Sequence, residues 1–183
     1  MAITGAGDGA GKATAEVLAT HGARVALGDL RYVRAERVAS AINHTVTPQG
    51  GGVAIALRLD VRDPESVRRF LDEVRHDFGP LDVLVSDTPD AAREGMRLAV
   101  PEMARRGTGH VINIATDAAA GTLTDSARRE FGASGVRFTA IVPREEPPAA
   151  PDDVASAVCR SLRSRRRIVR VRARARTGGA RAG

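Results

Sequence analysis

Thr4-Gly5-Ala6-Gly7-Asp8-Gly9-Ala10-Gly11 lies between a short apolar entry, Met1-Ala2-Ile3, and a segment in which Ala13, Val17 and Leu18 recur at helical spacing before Gly22. Strand, glycine turn and helix follow one another, and that context gives the glycines a meaning. Glycines at such a turn let the backbone bend tightly and approach a phosphate. The unpaired N–H groups and positive dipole end of the following helix face the anion. A glycine turn alone is equally an ordinary loop, so the reading of this one rests on the chain around it.

Arg24-Val25-Ala26-Leu27-Gly28-Asp29 is a second apolar run, and a helical pattern resumes over residues 32–42. Asp29 stands 18 residues after Gly11. That is near the spacing at which a strand-end carboxylate accepts hydrogen bonds from an adenosine ribose and repels a 2′-phosphate, which favours NAD over NADP. A solvated strand-end Asp is the plain alternative, and Arg31 weakens the preference. Residues 53–59 form a third strand ending in Asp60-Val61, and Asp63 caps a helix with Pro64 at its first position. Val67, Phe70, Leu71, Val74 and Phe78 give that helix one apolar stripe, which is core. Residues 81–85 form a fourth strand whose largely continuous apolar character fits burial on both faces.

Residues 91–106 read as a helix interrupted by Pro101, residues 109–115 as a fifth strand, 123–131 as a shorter helix and 136–142 as a sixth strand. The proline-rich stretch 144–151 is an extended connector. Asp152 or Asp153 is expected to cap a helix with Val154, Ala157, Val158 and Leu162 on one face, and 168–171 to add an edge strand. This alternation gives an α/β fold, a doubly wound parallel sheet of Rossmann type in three layers, shortened. Residues 1–171 are expected to form one domain, and 172–183, rich in Arg and Gly, a disordered tail.

The chain has 183 residues and a net charge of +6. Through Asp153 it holds all 22 acidic residues and 18 of the 28 basic ones, a net of −4, whereas from Val154 onward it carries ten arginines and no acid. The single cysteine, Cys159, excludes an internal disulfide and suits a core or boundary position. No apolar run reaches membrane-spanning length and no signal-peptide pattern precedes the first strand, so a cytoplasmic location is expected. The four histidines show no metal-ligand spacing. Gly11-Lys12 has the dipeptide of a nucleotide-triphosphate loop, but Ala6 and Ala13 stand where that loop needs Gly and Ser or Thr.

Together, Thr4-Gly5-x-x-x-Gly9-x-Gly11, Gly28-Asp29, Leu59-Asp60-Val61, residues 79–85 (GPLDVLV), 109–115 (GHVINIA) and 135–143 (GVRFTAIVP) resemble the short-chain dehydrogenase/reductase family. The resemblance implies a nicotinamide cofactor across the carboxyl edge of the sheet and hydride transfer to or from an alcohol or carbonyl. It places Thr4, Gly5, Gly7, Asp8, Gly9, Ala10 and Gly11 at the pyrophosphate, Asp29 at the adenosine ribose, and Asp60 and Val61 at the adenine, with Leu30 also among the cofactor-binding residues.

That family works with a Tyr-x-x-x-Lys pair, because a phenol titrating near pH ~10 needs a neighbouring cation to ionise near neutrality. Tyr32 and Lys12 are the only tyrosine and lysine, and both lie in the first two β-α units. Thr116 occupies the serine position, where its hydroxyl would donate to a substrate oxygen. Ser86-Asp87-Thr88-Pro89 stands where the family has Asn-Asn-Ala-Gly. The expected activity is therefore an NAD(P)-dependent oxidoreductase with impaired catalysis. The alternatives are a non-catalytic dinucleotide-binding or interaction protein, as a homo-oligomer or paired with a complete homologue, and nucleic-acid binding through the arginine tail, which lacks aromatic stacking partners.

Overall fold

A computed structural model of the chain describes residues 1–114, 118–143, 149–164 and 168–171. The elements are β1 (Ala2–Thr4), α1 (Gly9–Thr20), β2 (Val25–Asp29), α2 (Tyr32–Thr45), β3 (Ala54–Arg58), α3 (Pro64–Phe78), β4 (Val83–Ser86), α4 (Pro89–Arg106), β5 (Gly109–Ile114), α5 (Ala118–Phe131), β6 (Val136–Pro143), α6 (Pro151–Leu162) and β7 (Ile168–Val171). A single 3-10 turn, Thr47–Gln49, separates α2 from β3.

All strand pairs are parallel, in the order β3-β2-β1-β4-β5-β6-β7. The strand period of two sorts the core onto two faces. Ile3 pairs with Leu27 and Val85, and these three join Leu18 of α1, Ile42 of α2 and Val158 of α6. Ala2, one residue earlier, pairs with Ala26 and Leu84, and these meet Phe70 of α3 and Met103 of α4 on the opposite face. Both faces are thus covered by helices, as the apolar runs required.

Asp63 accepts from the Glu65 N–H at 3.0 Å ahead of Pro64, as the sequence signals. Three boundaries differ from expectation. Helix α4 runs unbroken through Pro101, starting at Pro89 behind a Thr88 cap. A proline removes one helical hydrogen bond, yet Ala99, Val100 and Met103 around it are each 1% exposed, and that packing holds the helix together. Neither Asp152 nor Asp153 caps α6. Pro151 takes the first helical position behind Ala150, because its fixed φ suits that place, and the two acids fall in the first turn beside the dipole. Helix α5 begins at Ala118 rather than near residue 123, the alanines being strong helix formers that carry the helix through Gly121.

Cys159 is half-buried on α6. Among the described residues no helix is long and apolar enough to cross a membrane, and no three His, Cys, Asp or Glu side chains are grouped to hold a metal.

Candidate functional site

The chain leaves β1 toward β2 on one side and later returns to place β4 on the other. Such a switch point opens a crevice at the carboxyl ends of the two strands. Here it lies between the turn after Thr4 and the turn after Ser86.

The glycine turn is shaped by close approach. Gly5 and Gly9 have φ of +60° and +53°, which side chains rarely adopt. A Cβ on Gly11 would lie 2.3 Å from the Gly5 carbonyl oxygen, so only glycine lets α1 sit this close to the turn. Asp8 is the N-cap residue of α1, but its side chain makes no cap bond and is turned instead to Arg34 on α2. The first turn of α1 therefore has no side-chain cap among the described residues, and its N–H groups are open to an anion.

Asp29 closes the turn from the β2 side. Its Oδ2 accepts from the Gly7 N–H at 2.9 Å, and its Oδ1 accepts from the Arg31 N–H at 2.8 Å. The carboxylate that the sequence assigned to a ribose thus also holds the glycine loop, and Arg31 meets it through the backbone. Asp60 accepts from the Arg62 N–H at 3.0 Å, and this bond holds its carboxyl below the ordinary carboxylate range. Leu30, Asp60 and Val61 line one cleft of about 210 Å³ together with Asp29 and Gly5.

Among the cleft's other lining residues the charged ones, Arg62 and Asp87, are not site residues expected from sequence. Asp87 is tied to Thr4 twice: the Thr4 hydroxyl donates to its Oδ1 at 2.7 Å, and its own N–H donates to Thr4 Oγ1 at 3.2 Å. These two bonds join the ends of β1 and β4 despite the altered 86–89 motif. Burial pushes the Asp87 carboxyl up from the ordinary carboxylate value, with Asp29 and Asp8 adding to the rise. Nothing in one sequence pointed to it beyond its departure from the family motif.

Of the sequence-derived residues, Gly5, Asp29, Leu30, Asp60 and Val61 line this cleft and Thr4 meets it through Asp87, whereas Gly7 and Asp8 line a separate cleft beside Arg34 and Arg37, and Gly9, Ala10 and Gly11 open α1. Thr116 lies outside the described residues, as do 165–167 and 172–183 of the arginine-rich end. Tyr32 is at the start of α2 and lines clefts along β3. That strand is four places from β5 in the sheet, roughly 19 Å at ~4.8 Å per strand, so Tyr32 cannot serve chemistry at the end of β5. Lys12 points to Glu16 on the same helix, 3.8 Å away.

Residues 1–88 match the family profile described as short chain dehydrogenase. Cis-4-hydroxycyclohexanecarboxylate dehydrogenase of Sinomonas cyclohexanicum is 30% identical over 181 residues, covering 77% of this chain and 70% of that protein. The uncharacterized oxidoreductase YxbG of Bacillus subtilis is 41% identical over 85 residues, covering 46% of this chain and 29% of that protein. The chain thus spans from 29% to 70% of the length of these two curated relatives. A metagenomic short-chain oxidoreductase solved in complex with NADP superimposes with a TM-score of 0.82 at 24% identity, over 94% of this chain and 96% of that one.

Proposed function

The chain belongs to the short-chain dehydrogenase/reductase family, and on that premise we propose that it binds a nicotinamide dinucleotide, NAD in preference to NADP, with impaired hydride-transfer catalysis. The carrying observation is the uncapped N-terminus of α1 behind a turn that only glycines can make. Those open N–H groups suit a pyrophosphate. Asp29 and Leu30 would hold the adenosine ribose, and Asp60 and Val61 the adenine. The carboxylate of Asp29 favours a free 2′-hydroxyl over a 2′-phosphate; Arg62, in the same cleft, pulls against that preference. A bound nicotinamide would supply or accept the hydride. On the protein side the sequence offers Thr116 to orient a substrate oxygen, and no Tyr-x-x-x-Lys pair to move the proton.

Calorimetric titration with NAD+ and NADP+ tests this reading. NAD+ is expected to bind more tightly than NADP+, and Asp29→Ala to weaken NAD+ by about tenfold or more while narrowing the difference, since it removes a charge-assisted acceptor. Alcohol oxidation at ordinary family rates by the wild-type protein, or tighter binding of NADP+, would overturn the respective part of the proposal.

A further inference from the structure

The cleft proposed for the dinucleotide is more acidic than an anion-binding site needs to be. Asp87 brings its carboxylate over the glycine turn: a Cβ placed on Gly5 would lie 1.8 Å from Asp87 Oδ2. The carboxylate therefore occupies the space directly above the residue where the backbone opens toward a phosphate. It is also held there, because the Thr4 hydroxyl bonds its Oδ1 at 2.7 Å and its backbone is tied to the same hydroxyl.

Charged groups face it from the turns after β1, β2 and β3. Asp8 on the β1–α1 turn and Asp29 at the end of β2 both act on it as like charges. Asp60 and Arg62, from the segment after β3, line the same 210 Å³ cleft. Two of the described cations nearby are engaged, Arg34 with Asp8 and Arg62 with Asp60. A phosphate approaching the turn at Gly5 meets a carboxylate that has no ion-pair partner among the described residues, and two negative groups at close range disfavour one another strongly in a partly buried site. Protonation of one of them is the least costly resolution, and Asp87 is the candidate, since burial already favours its neutral form.

We propose that Asp87 is a specificity-determining residue of the cradle, and that a dinucleotide enters together with one proton taken from solvent onto Asp87. This inference rests on the dinucleotide reading above. Oδ1 already accepts from Thr4, so the proton goes to Oδ2, the oxygen over Gly5. The added O–H turns a repelling acceptor into a donor facing the anion. Binding then weakens as pH rises, because the proton must be supplied at ever lower concentration.

The experiment is calorimetric titration of the full chain with NAD+ in several buffers of different ionisation enthalpy, from about pH 5.5 to about pH 8, for wild type and Asp87→Asn. Wild type is expected to take up close to one proton per site at the upper end, with affinity falling by up to about tenfold per pH unit. Asp87→Asn keeps the acceptor for Thr4 but carries no charge. It is expected to bind without that uptake and at least about tenfold more tightly at pH ~8. Buffer-independent heats in wild type, or unchanged proton uptake in Asp87→Asn, would overturn the inference while leaving the dinucleotide reading intact. Absence of binding by both proteins, with cooperative thermal unfolding retained, would remove that reading and this inference with it. Should Asp87→Asn fail to fold, the wild-type buffer series decides alone.

Discussion

His110, at the second position of β5, is 2% exposed. Its Nε2 lies 2.9 Å from Thr139 Oγ1, and its Nδ1 has no hydrogen-bond partner among the described residues. Burial, reinforced by Arg137, lowers its pKa from 6.5 to about 4. The unfolded chain therefore binds an extra proton between those two values, so stability held above pH 6.5 is lost as pH falls toward 4. The shift corresponds to about 3 kcal/mol. Denaturant midpoints of wild type and His110→Gln should converge as pH is lowered through this window; parallel pH profiles would contradict the assignment. At this scale legibility was uneven. The place of Asp29 at the end of β2 was legible because it closes an apolar run at a fixed distance from the glycines. Asp87 could not be joined to Thr4 from sequence, since 83 residues separate them and only the pairing of β1 with β4 brings them together.

The two helices that frame the crevice begin differently. Thr88 caps α4, accepting from the Ala91 N–H at 3.3 Å, whereas Asp8 gives α1 no such bond and pairs with Arg34 at the surface. Thr88→Ala should therefore cost about 1 kcal/mol of stability. Asp8→Ala should cost little, since an exposed ion pair contributes only ~0–1 kcal/mol. Urea unfolding of the two variants measures the difference, and an equal loss in both would mean that Asp8 caps α1 in solution. Elements were legible where a local signal and packing agreed, as with Asp63-Pro64 at the start of α3. They were misjudged where packing overrode the signal. Pro101 reads as a break, but the buried side chains around it hold the helix together. Asp152 and Asp153 read as caps, but Pro151 sets the boundary first.

Across the whole molecule, the parallel sheet follows from alternating elements, and the two-faced core from the period of two. Both are carried by residues such as Ala2 and Ile3, whose neighbours in the chain go to opposite faces. The carboxyl edge at the β1–β4 switch point then collects the glycine turn, Asp29, Asp60 and Asp87 in one place. What the sequence could not convey is the charge balance of that edge, which depends on side chains from four separate turns. An NADH titration followed by the cofactor's own fluorescence tests whether this edge holds a dinucleotide. A saturable change with one site per chain, displaced by NAD+ and lost on enlarging the turn with Gly11→Val, is the result expected. An NADH signal unaltered by the folded wild-type protein up to about millimolar cofactor, where binding would be worth only ~4 kcal/mol, would contradict it.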